Sequence, residues 1–197
     1  IVGFGPAGMF ASLTLAALGY APLVIERGGS VGERVAAVEH FYRTGELDTG
    51  TNIQFGAGGA GTFSDGKLTT RIGDPRCRGV LKMLHSLGAP EDILTSAKPH
   101  IGTDILRRVV ENAAERLTEL GGEIRYHTAL TELPMRSGEV GRIMTDGGEI
   151  ECGAVVLAVG HSARDTYSMI MRRGYEVVPK AFSMGLRIEH LREDIDR

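Results

Sequence analysis

Three glycines near the start of the chain, Gly3, Gly5 and Gly8, are spaced as in a turn that joins a strand to a helix. Residues 1–2 are apolar like a strand end, and the pattern after them predicts a helix over residues 6–18. Gly3 would permit the tight turn, Gly5 would let the backbone approach a pyrophosphate, and Gly8 would let the helix pack closely on the strand. The first turn of such a helix presents unpaired N–H groups and the positive end of the helix dipole, which favour a diphosphate. The spacing predicts a dinucleotide-binding turn; the alternative is a junction that binds nothing.

The next apolar segment, residues 22–26, predicts a short buried parallel strand that ends in Glu26. This carboxylate follows the glycine turn by about 20 residues, where it would hydrogen-bond the ribose hydroxyls of a dinucleotide. Glu26 also disfavours a 2′-phosphate, because two negative charges would meet there. Arg27 carries the charge to accommodate such a phosphate, but as the next residue it is expected to point to the opposite face. Bound NADP is therefore disfavoured in this pocket.

Helix and strand patterns alternate along the rest of the chain. In chain order they predict a helix capped by Ser30, helices over residues 74–88 and 103–120, strands at 123–126 and 129–133, a hairpin over 140–151, a fully buried strand at 154–159, and a helix to about residue 173 that Ser162 and Asp165 cap. This order predicts an α/β fold with a parallel sheet and a small antiparallel β insertion, and the dinucleotide-binding turn at its start indicates a Rossmann-like domain.

The segment from residue 44 to residue 71 has no regular periodicity and is rich in glycine. A loop of this length within a compact domain is usually either disordered or functional. Its apolar residues, among them Ile53, Phe55, Phe63 and Leu68, predict that it packs against the domain. The alternative is a mobile surface loop.

Charge and cysteine content exclude several classes of protein. The 22 basic and 25 acidic residues give a formal charge of −3, so neither a nucleic-acid partner nor an anionic membrane is expected. Cys77 and Cys152 are far apart in sequence, so neither a disulfide framework nor a metal site is expected, and a cytoplasmic location is predicted. Both ends of the chain have the character of interrupted elements, which predicts a fragment of a larger protein.

Several motifs resemble those of known flavoproteins. The opening GFGPAG resembles the first fingerprint of the two-dinucleotide-binding-domain flavoproteins of the glutathione-reductase-like fold, and Ala158-Val159-Gly160 resembles their second, with Val in place of Thr. Four longer segments resemble an uncharacterised bacterial family of FAD-dependent dehydrogenases: FGAGGAGTFSDGKLTTR, KPHIGTD, GHSARDT and FSMGLRIEH. The resemblance covers essentially the whole chain. It implies a Rossmann-like FAD/NAD(P)-binding domain with FAD rather than NAD at the glycine turn. It also implies a substrate domain and a last FAD-contacting segment beyond Arg197.

The same resemblance implies a set of cofactor-binding residues. It places the FAD pyrophosphate against the opening turn, the adenosine ribose on Glu26 with Arg27 beside it, a further cofactor contact on Arg34, and the adenine edge at the backbone of Leu130. The residues implied for the pyrophosphate, the flavin and the second motif are Gly3, Gly5, Pro6, Ala7, Gly8, Gly58, Gly59, Ala60, Gly61, Thr62, Ala158 and Gly160. Glycine suits these positions because it lets main-chain N–H groups approach an anionic or planar ligand.

No catalytic residue is assigned, because flavin itself carries the electron transfer. Ser64, Asp65, Lys67 and Arg71 lie on the part of the loop expected to reach the flavin. Lys67 would stabilise a reduced, anionic flavin or bind an acidic substrate; the alternative is a solvated lysine beside an Asp-Gly turn. His161, at a strand–helix junction, is the third candidate with Ser64 and Lys67, the alternative being a local hydrogen-bonding role.

These features predict the FAD-binding part of a flavin-dependent oxidoreductase over residues 1–174 and the start of a truncated substrate domain over residues 175–197. A small-molecule substrate is the expected partner, and NADH or NADPH is a candidate electron donor. Two alternatives stay open: a non-catalytic flavin- or nucleotide-binding module, and a flavoprotein that modifies RNA, against which the near-neutral charge argues.

Overall fold

The computed structural model describes residues 1–64, 66–70, 72–136, 138–186 and 188–196, and it has a mixed α/β fold. The helices are α1 (Pro6–Ala17), α2 (Val31–Thr44), α3 (Arg76–Ser86), α4 (Thr103–Glu119), α5 (Arg164–Arg172) and α6 (Arg192–Ile195). The strands are β1 (Leu23–Ile25), β2 (Glu123–Arg125), β3 (Leu130–Glu132), β4 (Arg142–Thr145) and β5 (Gly148–Glu151). Two short 3-10 helices lie at Gly59–Phe63 and Glu91–Leu94.

The parallel part of the fold is centred on Val2. Strands β1 and β2 pair in parallel, with Val24 opposite Ile124. Val2 forms parallel bridges to Ile25 on one side and to Leu157 on the other. The order across the fold is therefore β2, β1, the segment at Val2 and the segment at Leu157, and the carboxyl ends of these segments meet at one edge.

The antiparallel insertion predicted from the sequence is confirmed. Strands β3, β4 and β5 form a three-stranded antiparallel sheet, and β4 and β5 are the two strands of a tight hairpin. Thr145 pairs with Gly148 at the end of this hairpin. Within the Asp-Gly-Gly sequence of this turn, Gly148 has φ +117°, a conformation that other residues rarely adopt.

Two apolar clusters cover the opposite faces of the parallel segments. Val24 points into the cluster formed with α1 and α4, whereas Val2 and Ile25 point into the cluster formed with β3, β4 and α5. Neighbouring residues on a strand point to opposite faces, so the alternation of Val24 and Ile25 requires both sides of β1 to be apolar. Packing in the second cluster extends to Tyr175, whose hydroxyl donates to the carbonyl of Leu133 at 3.2 Å.

Two expectations for the last third of the chain are wrong. Residues 154–159 do not form a fully buried strand: only Leu157 forms a bridge, and it is 37% exposed. The segment pairs with Val2 on one side only, so one sheet neighbour shields it instead of two. Ser162 and Asp165 also form no capping box. Helix α5 begins at Arg164, the Ser162 hydroxyl donates to Gln54 Oε1 at 3.1 Å, and Asp165 is paired with Arg27.

Ser30 precedes α2, as the sequence predicts, and Glu33 folds back onto it. One Glu33 oxygen accepts hydrogen bonds of 2.7 Å from the backbone N–H and from the hydroxyl of Ser30. The other lies 3.0 Å from Nε2 of His127. These contacts hold the pKa of Glu33 at about 2, the hydrogen bonds from Ser30 being the largest cause.

We expect Glu33→Gln to lower the free energy of unfolding by about 1 kcal/mol at pH 7, a capping contribution for a solvent-exposed group. The folded-state pKa lies below the ordinary value of 4.5, so this stabilisation is complete above pH 4.5 and is lost as the pH falls towards 2. Urea unfolding of both proteins at pH 7 and pH 3 measures the effect. Glu39→Gln, on the exposed side of α2, is the control. A difference between Glu33→Gln and the unsubstituted protein that stays constant with pH would contradict the assignment.

Candidate dinucleotide-binding cleft

A cleft of about 490 Å³ opens at the edge where the carboxyl ends of the parallel segments meet. Its volume lies in the range of small-molecule sites, and its position is the one at which open α/β sheets bind ligands. The predicted cofactor residues on its walls are Gly3, Gly5, Pro6, Ala7, Glu26, Arg27, Gly59, Ala60, Gly61, Leu130, Ala158 and Gly160.

Two glycines of the opening turn are required by packing within the protein. Gly3 has φ +97°, and a Cβ there would lie 2.6 Å from the carbonyl oxygen of Ala158. A Cβ on Gly8 would overlap the carbonyl of Gly3. Gly8 therefore allows α1 to approach the strand end closely, as the sequence predicts, and it is not one of the residues that line the cleft.

Gly5 differs from Gly3 and Gly8 because nothing in the fold requires a glycine at this position. Its φ of −76° suits any residue. The nearest atom to a Cβ at this position is Cα of Gly59, at 3.8 Å, which is an ordinary contact distance. Gly5 lines the cleft directly before α1. The space that its missing side chain leaves open therefore belongs to the cleft, beside the helix N-terminus where unpaired N–H groups favour a diphosphate.

Glu26 is 6% exposed and lines the cleft, and its carboxylate accepts three backbone N–H groups. Oε2 accepts from Phe4 at 2.7 Å, and Oε1 accepts from Gly28 at 2.9 Å and from Gly56 at 3.0 Å. The carboxylate thereby joins the opening turn, the segment after β1 and the long glycine loop. A carboxylate offers about four acceptor positions, so about one stays available to a hydroxyl in the cleft.

The glycine loop divides into residues that face the cleft and residues that face the core. Gly59, Ala60 and Gly61 line the cleft. Gly58 and Thr62 do not: a Cβ on Gly58 would lie 2.8 Å from Val110 Cγ2, and the Thr62 hydroxyl donates to the Ala57 carbonyl at 3.1 Å. These two residues shape the loop from its inner side.

Arg34 lies beneath this loop and does not line the cleft. It is 0% exposed, and its guanidinium donates to the carbonyls of Asn52, Ile53, Ala57 and Gly59. The resemblance implied a direct contact with the cofactor. In this structure the contacts of the side chain are with the loop backbone instead.

Arg27 lines the same cleft as Glu26, so the expectation that it points to the opposite face is wrong. Strand β1 ends at Ile25, and the alternation of a strand does not extend to Arg27. Its Nη2 lies 2.8 Å from Asp165 Oδ2, and its guanidinium lies over the Phe55 ring at 4.6 Å. The positive charge of Arg27 is therefore paired with the Asp165 carboxylate and needs no phosphate as a partner.

Comparison with known proteins reveals similarity both in sequence and in fold. An uncharacterized protein of Clostridium beijerinckii is 50% identical over 196 residues, 100% of this chain, and the chain spans 37% of that relative's length. No protein-family model matches the chain. THI4 of Thermovibrio ammonificans superposes with a TM-score of 0.55 at 16% identity, over 89% of this chain and 62% of that one. Glycine oxidase of Bacillus cereus superposes with a TM-score of 0.51 at 14% identity, over 80% of this chain and 53% of that one.

The fold is Rossmann-like. Both solved structures share it across most of this chain while extending well beyond it, so the chain corresponds to one part of each larger protein. At these identities the likeness concerns the fold alone.

Of the three catalytic candidates, His161 lines the cleft, whereas Ser64 and Lys67 do not. The Ser64 hydroxyl donates to the Gly61 carbonyl at 2.7 Å and accepts from the N–H of Gly66 at 3.1 Å, so it serves the local turn. Lys67 is exposed and forms an antiparallel bridge with His100. Asp65 and Arg71 lie outside the described residues.

Several further cleft residues were not predicted from the sequence as site residues, among them Gln54, Phe55, Thr128, Thr166 and Tyr167. Signals for them were available, because Phe55 begins the glycine-rich motif and Thr128 lies two residues before Leu130. Thr166 and Tyr167 lie shortly after Gly160, the last residue of the second fingerprint. Their arrangement around the cleft depends on tertiary packing that no local pattern encodes.

The described residues contain no group of three or more His, Cys, Asp or Glu side chains arranged to hold a metal ion. Cys77 and Cys152 are both free thiols. Within the same ranges, no helix has the length and apolar character needed to cross a bilayer.

Proposed function

We propose that this chain is the FAD-binding part of a flavin-dependent oxidoreductase. The observation that carries the proposal is Gly5, because its backbone conformation and its neighbours inside the fold both tolerate a side chain. A glycine that the protein itself does not require, at a helix N-terminus in a cleft, is accounted for by a ligand that approaches the backbone closely.

The cleft residues fit the parts of a flavin adenine dinucleotide. The diphosphate would lie between the first turn of α1, at Ala7, and the backbone of Gly59 to Gly61. The adenosine ribose would take the remaining acceptor position of Glu26, and the adenine would lie towards Thr128 and Leu130. Bound there, the flavin supplies the electron transfer, and the protein supplies position, charge and the exclusion of water.

The resemblance to FAD-dependent dehydrogenases supports the class of reaction, and the Rossmann-like fold shared with a glycine oxidase is compatible with a dinucleotide in the cleft. We further propose that residues 1–174 form the cofactor domain and that residues 175–197 begin a substrate domain for a small molecule in the cytoplasm. Among the described candidates, His161 is the one placed to exchange a proton with a ligand in the cleft.

The visible spectrum of the intact protein tests this proposal. We expect a yellow protein with flavin bands that releases FAD on denaturation. A colourless protein that takes up no FAD after reconstitution would refute the proposal. Stopped-flow mixing with NADH and NADPH then tests the enzyme assignment: rapid bleaching supports an oxidoreductase, and bound FAD that neither these nor substrate-type reductants bleach would indicate a non-catalytic module.

A further inference from the structure

The hydrogen bonds of the Arg34 guanidinium are made within the protein, and they leave no N–H group free to contact a cofactor. Nε and Nη2 both donate to the Asn52 carbonyl, Nη2 also donates to Ile53, and Nη1 donates to Ala57 and Gly59. A guanidinium carries five N–H donors, and these contacts use as many. The side chain is enclosed completely, with its guanidinium 4.8 Å from the centre of the Phe63 ring.

The backbone of the same loop is also held through its N–H groups. Gly56 donates to Glu26 at 3.0 Å, Ala57 donates to the Gly29 carbonyl at 3.0 Å, and Gly58 donates to the Phe4 carbonyl at 2.7 Å. Arg34 thus binds the carbonyls of a segment whose amides are bound by the opening turn and by the segment after β1. Both sets of hydrogen bonds are made by the protein alone.

The charge of Arg34 persists despite burial. Burial lowers its pKa to about 10, and the nearby Glu26 carboxylate opposes that shift. The side chain is therefore a cation at neutral pH. The cost of burying it is offset by hydrogen bonds to carbonyl oxygens and by the opposite charge of Glu26.

We propose that Arg34 is a positioning residue that holds residues 52–59 as a preformed wall of the cleft, so that it controls cofactor affinity without touching the cofactor. The identity of that cofactor rests on the proposed function, whereas the preformed wall does not. Preorganisation of this kind strengthens binding because the loop loses little conformational freedom when the ligand arrives.

Arg34→Lys keeps the charge and removes the fork of donors, and Arg43→Lys on the exposed end of the same helix is the matched control. Without ligand, we expect hydrogen exchange at the amides of Gly56, Ala57 and Gly58 to accelerate about tenfold or more in Arg34→Lys, while amides in α4 keep their protection. FAD affinity should fall about tenfold, and the FAD that still binds should keep its visible band positions. The control should change neither quantity.

Two results would overturn the proposal: unchanged exchange at the three loop amides, or weaker binding with shifted flavin bands and a protected loop, which would indicate direct contact. A protein that binds no FAD at all refutes the proposed function, but the exchange measurement still decides the role of Arg34. If Arg34→Lys does not fold, exchange in the unsubstituted protein gives the second test. A preformed wall requires the amides of Gly56, Ala57 and Gly58 to be protected before FAD is added, and amides that gain protection only when FAD binds would overturn the proposal.

Discussion

Gly5→Glu is expected to abolish the retention of FAD in a protein that still folds. The carboxylate would stand in the cleft at the helix N-terminus, where the diphosphate is proposed to bind, and the two negative charges would repel each other. We expect affinity to fall by more than about 100-fold, which corresponds to roughly 3 kcal/mol. FAD titration monitored by flavin fluorescence, together with the FAD content after gel filtration, measures the effect.

Two further variants separate charge, volume and folding. Gly5→Ala places a Cβ 3.8 Å from Gly59, so the stability of the ligand-free protein should change by less than about 0.5 kcal/mol while FAD affinity falls about tenfold. Gly32→Glu adds the same charge in the first turn of α2, where nothing lies within 4 Å, and should leave FAD binding unchanged. Full retention of FAD in Gly5→Glu would place the cofactor elsewhere.

The parts of this fold that local chemistry determines were predictable from the sequence. Helix α4 has one apolar stripe with a glycine pair after it, and its structure extends over Thr103–Glu119, close to the predicted bounds. Gly3 and Gly8 could be assigned because a tight turn and a close helix contact each require glycine, and both requirements appear in the structure. The hairpin of β4 and β5 follows from its turn residues.

The parts that depend on distant segments were not predictable. Arg34 lies on an amphipathic helix whose pattern places charged residues outside, yet it is enclosed because carbonyls about 20 residues away converge on it. Arg27 faces the cleft because Asp165, far along the chain, binds it there. Residues 154–159 have the composition of a buried strand, but among the described residues the segment pairs with Val2 alone. The hydrophobic periodicity of a segment does not indicate which distant segments it will contact in the folded protein.

The glycine segments around the cleft have almost no side chains with which to pack, so other groups must fix their backbone. Glu26 binds their amides and Arg34 binds their carbonyls, and the two opposite charges stabilise each other in the interior. These hydrogen bonds hold the wall rigid from the side that faces the core. The lack of side chains on the cleft side lets a dinucleotide approach the backbone closely. Removing either charge should therefore affect the shape of the wall, and Glu26 should matter more because it reaches three segments.

Glu26→Gln is accordingly expected to lower the free energy of unfolding by about 3 kcal/mol and to weaken FAD binding more than tenfold. The amide oxygen is able to keep the two N–H groups that Oε1 accepts, from Gly28 and Gly56, but the NH₂ group must then face the N–H of Phe4, which lies 2.7 Å from Oε2. A buried donor would be left unsatisfied in the glycine turn, and Arg34 would lose its opposite charge. Urea unfolding at pH 7 and FAD titration measure the two effects, with the exposed Glu39→Gln as control. If Glu26→Gln unfolds at the same urea concentration as Glu39→Gln, the carboxylate does not hold these segments together, and its conformation in the ligand-free protein must differ from the one described.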